Sequence, residues 1–179
     1  MVIKKTGLAL MLAGTVAASQ ASVCKIAPGS VTCGQGTVNS LVGNGMVSVN
    51  GTTITGPTSI NGLLTADDAS FTSLQVNGST SLVQCTINLD ADIKGSLKAS
   101  STKFENTLHI YSNSSRLINS KVNQNLHVHH TDSLKQEVYL DNNSEVGGDI
   151  IFDDGQGKVV LRGGSKIKGT VKGGEVVNP

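Results

Sequence analysis

Residues 85–130 read CTINLDADIKGSLKASSTKFENTLHIYSNSSRLINSKVNQNLHVHH, and their spacing decides the fold. Ile87, Phe104 and Val122 recur at gaps of 17 and 18, each preceded two positions earlier by a small residue: Cys85, Thr102 and Ser120. Read outward, the same pair of positions returns along most of the chain. The apolar column becomes Ile54, Phe71, Ile87, Phe104, Val122, Val146 and Ile167, with gaps of 17, 16, 17, 18, 24 and 21. The small column becomes Thr52, Ala69, Cys85, Thr102, Ser120, Ser144 and Ser165. A unit this short cannot bury a core of its own, so successive units must stack and share one.

Within each unit the chain is apolar again four and six positions after the anchor. Leu108 and Ile110 follow Phe104, Leu126 and Val128 follow Val122, and Ile150 and Phe152 follow Val146. Ala91 and Ile93 follow Ile87, while the Phe71 unit is one residue short, with Leu74 and Val76. Apolar residues two apart mark a strand with one buried face. A further apolar position falls at Leu64, Leu82, Leu97, Leu117 and Leu134. Asn50-Gly51, Asn61-Gly62 and Asn77-Gly78 are not flanked by matched alternating strands, so they read as corners of a coil rather than hairpin turns. The fold class is therefore all-β. A single parallel β-helix (β-solenoid) of roughly seven turns is expected, right-handed by the general bias of parallel crossovers, about 30–35 Å long at ~4.8 Å per turn.

The two ends differ from this middle. Lys4 and Lys5, an uncharged stretch from Gly7 to Ala18, and Ser19-Gln20-Ala21 form the pattern of a cleaved export signal ending at residue 21. Residues 22–45 are glycine-rich and poorly patterned and are expected to cap the coil, whose own span is 46–179. Cys24 and Cys33 lie close together just after the leader, and an exported chain meets an oxidising compartment, so a short disulfide loop is expected. Cys85 reads as a small side chain packed in the Ser/Thr column. The last unit, Ser165 to Val177, is followed only by Asn178 and Pro179, which leaves a rung expected to pair with another copy or a neighbouring protein.

Composition excludes several classes of function. The formal net charge is +1 with no basic stripe, so nucleic acid has little electrostatic reason to bind. No segment after the leader is apolar enough to cross a membrane. There is no tryptophan, and only two tyrosines and three phenylalanines, which disfavours an extended sugar-stacking groove. No Gly-x-Ser-x-Gly elbow marks a hydrolase, and Gly155-Gln156-Gly157 lacks the rest of a phosphate loop. Asp67-Asp68 and Asp153-Asp154 sit beside small residues and read as solvated turns, although a glycan hydrolase would need paired carboxylates.

One cluster stands apart. His109 and His127 both fall five residues after their anchors and flank inward positions, so they point outward from neighbouring turns; His129 shares the face of His127. No catalytic residue and no cofactor are expected. The histidine trio, joined by Asp92 one turn earlier, is the one place where Zn²⁺, Cu²⁺ or Ni²⁺ finds suitable ligands, solvated surface imidazoles being the plain alternative.

The units Ser144–Phe152, Ser165–Val171 and Asp92–Leu97 resemble the rungs of bactofilins and related polymer-forming bacterial β-helix proteins, over most of residues 47–177. The resemblance implies a β-helix and self-association. Bactofilins are cytoskeletal filament formers inside the cell; this chain departs from them in its leader and in its longer turns after Val122, so a cytoskeletal role is not implied. The expected function is a non-catalytic structural or interaction protein of the bacterial envelope or surface. A carbohydrate-active or glycan-binding β-helix is the alternative, and a metal-binding envelope protein the second alternative. Expression of the full chain in a bacterial host should yield a mature protein beginning at Ser22, read by intact mass; retention of residues 1–21 would remove the export reading.

Overall fold

A computed structural model describes residues 22–132 and 135–179; the expected leader and Leu134 lie outside them. The described residues form strands and no helix, stacked in parallel as a β-solenoid of about nine turns, against the seven expected. A representative turn places Thr86–Ile87 on a first face, Ala91–Lys94 on a second and Leu97–Ser100 on a third. In the N-terminal half the faces merge into continuous strands, Thr52–Asp67 and Ser70–Val83, each of which runs round all three.

The anchor column is the spine of the first face. Ile54, Phe71, Ile87, Phe104, Val122, Val146 and Ile167 pair directly from turn to turn without a slip. All but the last are buried. Val38 pairs with Ile54 and extends the column one turn further back. The second face carries two inward columns through Leu74, Ala91, Leu108, Leu126 and Ile150, and through Val76, Ile93, Ile110, Val128 and Phe152. The third face also carries two. Leu64 and Leu97 lie in one, Leu82 and Leu117 in the other, so the single extra apolar position read from the sequence is a pair. The turn that begins at Val122 fills this face with Val138 and Leu140. Volume is balanced across turns: the Ile87 turn has Ala91 and Ala99 at inward sites, and the buried rings of Phe71 and Phe104 lie in the turns on either side.

The coil extends into residues expected to form only a cap. Ser30–Cys33 pairs in parallel with Met46–Val49, and Gly36–Val38 with Thr52–Ile54. Their pattern is faint because Gly43 occupies an inward site, the partner of Ile60. Its missing side chain is replaced by Val47, whose methyl would lie 2.4 Å from a Cβ there. Among the described residues only Cys24–Ala27 runs antiparallel, against Ser30–Cys33, through a Pro28-Gly29 turn with Gly29 at φ 73°. Cys24 and Cys33 face each other across this hairpin and are joined by a disulfide, Cα–Cα 4.0 Å.

The corners explain the small column. The residue just before each small one is held left-handed: Asp68, Gln84, Ser101, Asn119 and Asn143 have φ between 48° and 62°. The small side chain then turns inward and satisfies backbone groups that the corner would leave unpaired. Ser120 Oγ donates at the corner of its own turn to the Ile118 carbonyl (2.9 Å) and accepts from the Thr102 N–H one turn earlier (3.1 Å). Ser144 Oγ repeats this with the Asp141 carbonyl (2.7 Å) and the Ser120 N–H (3.1 Å). Cys85 occupies the same site, buried, its Sγ donating to the Val83 carbonyl. At the opposite corner Gly45, Gly62, Gly78 and Gly95 stack; a Cβ on Gly78 would sit 1.9 Å from the Gly62 carbonyl oxygen, and φ there is 146°.

The last rung is tied to its neighbour by charge. Lys166 and Lys168 hold Glu145 at 3.0 and 2.8 Å, and Lys172 holds Asp149 at 2.6 Å. The lysine hydrogen bonds keep both carboxyls at a pKa of about 2, below their ordinary values. The inward columns nonetheless carry the stability. Leu126 is fully buried between Leu108 and Ile150. Leu126→Ala should therefore cost about 2–5 kcal/mol in thermal or denaturant unfolding. An unchanged midpoint would put Leu126 outside the core.

Candidate functional site

The outer row of the second face runs Gln75, Asp92, His109, His127 and Ile151 in register. His109 and His127 project outward because Leu108, Ile110, Leu126 and Val128 beside them are drawn into the core. Ladder pairing brings the two rings to 5.9 Å between centroids. His129 follows Val128 at the point where the chain leaves the face in a longer corner, and two bonds hold it there. Its N–H donates to the Ile110 carbonyl (2.8 Å), and its carbonyl accepts from the buried Gln136 Nε2 (2.7 Å). Its ring stacks on His127 at 4.0 Å and on Tyr111 at 4.3 Å, and its Nε2 lies 2.9 Å from His109 Nδ1.

The carboxylate that closes the cluster comes from the following turn. Asp153 accepts from His127 Nε2 at 2.6 Å and from His129 Nδ1 at 3.2 Å. Asp154 pairs with His130. The expected fourth member, Asp92, is the backbone neighbour of His109 in the preceding turn, on the opposite side from Asp153. Repeat arithmetic contains the signal for Asp153. Phe152 pairs with Val128, so the next position of each turn, Asp153 and His129, stacks in the same way. A reading of Asp153-Asp154 as a plain turn passes over that register, and Gln136 carries no signal apart from being a polar residue that follows the bulge.

Electrostatics separate the rings. Burial, reinforced by the positive charge that His127 can carry, pushes the His129 pKa below 6.5, against the pull of Asp153. The hydrogen bond to Asp154 pushes exposed His130 above 6.5. The His127 hydrogen bond lowers the Asp153 carboxyl.

The other candidates do not assemble. Asp67 and Asp68 lie at the corner between third and first faces, Asp153 and Asp154 at the corner between second and third, so the two pairs do not face one another. Burial raises the Cys85 thiol pKa, which leaves it a packing residue. A groove of about 500 Å³ follows the third face beside Glu137, Lys158 and Glu175, but Lys158 sits between the two carboxylates in register and forms an ion pair with Glu137. No helix among the described residues is long and apolar enough to cross a membrane.

These features define a β-solenoid that carries a histidine–aspartate corner on its second face. No protein-family model, curated protein or solved structure matches the chain.

In a metal-free NMR titration His129 should protonate below pH 6.5 and His130 above it. The folded state then binds the His129 proton more weakly than the unfolded chain, so acidification through that range subtracts stability at His129 and adds it at His130. The reverse order of the two rings would contradict the stacked arrangement.

Proposed function

We propose that this chain is a non-catalytic, exported structural or interaction protein of the bacterial envelope, a rigid β-helix that associates with a second copy through its terminal rung. The observation that carries this reading is the state of that rung. Ile167, Val171 and Val176 continue inward columns in which Val146, Ile150 and Val159 are fully buried, yet Val176 is 43% exposed and the other two are only partly covered. Among the described residues, the edge formed by Lys166–Ile167, Val171–Lys172 and Gly174–Val177 pairs only with the turn before it. Edge lysines usually discourage strand addition. Here Lys166 and Lys168 share Glu145 and Lys172 pairs with Asp149, so two of the three charges are offset and that protection is weakened.

A two-fold pair is the simplest assembly of such an edge. Two C-terminal edges related by a two-fold axis bury the same apolar residues and stop there. The rung-level resemblance to polymer-forming β-helix proteins supports association, and the leader read from residues 4–21 supports export. The scarcity of aromatic side chains and the separation of the aspartate pairs weigh against the glycan-processing alternative.

Light scattering on size-fractionated protein in a chelator tests the association. The mass should rise from one chain towards two with concentration, and Val176→Lys should hold it at one chain while a melting curve shows the coil intact. A wild-type protein that stays at one chain throughout removes the self-association reading.

A further inference from the structure

The histidine corner is built as a ligand cage. The three imidazoles come from two neighbouring turns, His109 from one and His127 and His129 from the next, and each has a ring nitrogen within 4.8 Å of one on both of the others. We propose that His109, His127 and His129 bind one divalent transition-metal ion of the Zn²⁺, Cu²⁺ and Ni²⁺ group, with Asp153 as the carboxylate that orients two of the rings.

Imidazole nitrogens without thiolate or a set of oxygen ligands select these ions over Ca²⁺ and Mg²⁺. A Zn–N bond of about 2.0–2.1 Å places tetrahedral nitrogens about 3.3 Å apart. His109 Nδ1 and His129 Nε2, at 2.9 Å, are already near that separation. Since the nitrogens all lie within 4.8 Å of one another, no pair needs to close by more than about 1.5 Å to reach it. Side-chain rotation supplies that movement, because the three rings are half-buried and face outward.

Asp153 gives the cage its proton arrangement. It accepts from His127 Nε2 and His129 Nδ1, which puts hydrogens on those two atoms. The lone pairs then fall on His127 Nδ1 and His129 Nε2. His109 Nδ1 must be the donor across its 2.9 Å contact with His129 Nε2. A metal ion takes the place of that shared hydrogen once His109 moves its proton to Nε2, so binding needs a change of tautomer and no oxidant or reductant. A carboxylate on the far nitrogen of a ligating histidine is a recurrent device for fixing ring orientation and raising ligand basicity. Here one carboxylate serves two rings.

The backbone holds the cage in place. His109 and His127 are locked one rung apart by the ladder, and His129 is pinned by Ile110 and Gln136. Tyr111 packs against the His129 ring, and Lys94 lies over Tyr111 at 5.3 Å. Three protein nitrogens leave a coordination position for water or for a donor group on a partner.

Calorimetry with Zn²⁺ on purified protein carrying no polyhistidine tag tests the site, and it is independent of the association described above. One Zn²⁺ per chain is expected. Loss of a ligand in His129→Ala should weaken binding by about 100-fold, Asp153→Asn by about 10–100-fold, and His130→Ala by no more than about threefold. Electron paramagnetic resonance of the Cu²⁺ adduct of the wild type should show coupling to three nitrogens, a reading that needs no variant to fold. Absence of Zn²⁺ binding, equal binding by wild type and His129→Ala, or a Cu²⁺ spectrum with a single nitrogen would overturn the assignment.

Discussion

The hydrogen bonds of this protein run along the coil axis, from each turn to the next, and everything else depends on their register. A parallel ladder sets like position on like position, about 4.8 Å apart. A slip of one residue would move every inward side chain to the outside. The corner devices exist to prevent that slip. The left-handed residue before each small side chain, the hydroxyl that ties its own corner to the turn before, and the stacked glycines opposite all let the chain change direction while the ladders stay aligned.

The same constraint explains why chemistry gathers at one place. On a regular face, outward side chains are a full rung apart and meet only their counterparts above and below. His109 and His127 alone are such a pair. The third ring arrives because His129 stands two residues beyond His127 on the same outward side and stacks on Tyr111, which holds that position in the turn before, while Gln136 anchors it from inside. The following turn sets Asp153 at that same position, with Asp154 one residue on, over the rings. The repeat register thus sets the three rings and Asp153 in place, and the longer corner adds Gln136 behind His129.

Much of the fold was legible because large aliphatic residues mark inward sites by their size. The seven anchors, and the pairs such as Leu108–Ile110 and Leu126–Val128, are placed as their spacing implies. What escaped was written in small or polar residues. The first turns are hidden by Gly36 in the small column and Gly43 at an inward site, which accounts for part of the difference between seven and nine turns. The two columns of the third face were merged because Thr80 and Ser115 occupy inward sites of one, and Ala66 and Ala99 those of the other. At the histidine corner the rings were legible, since they flank apolar residues. Their carboxylate was not, because its position depends on counting from Phe152 rather than from its own neighbours.

The disulfide-closed hairpin has a mechanical consequence. Force applied along the axis loads the ladders one rung at a time, like a zipper, rather than all together. The end rungs, paired on one side only, part first, and the one at Lys166–Val177 has no disulfide within it. At the other end, Cys24 and Cys33 turn the first hairpin into a covalent loop that pulling cannot peel open. The molecule therefore has a direction under tension, with a fixed heel and a yielding tip. The histidine corner lies only a few rungs inside the yielding end, where a bound ion would act as a rivet between adjacent turns.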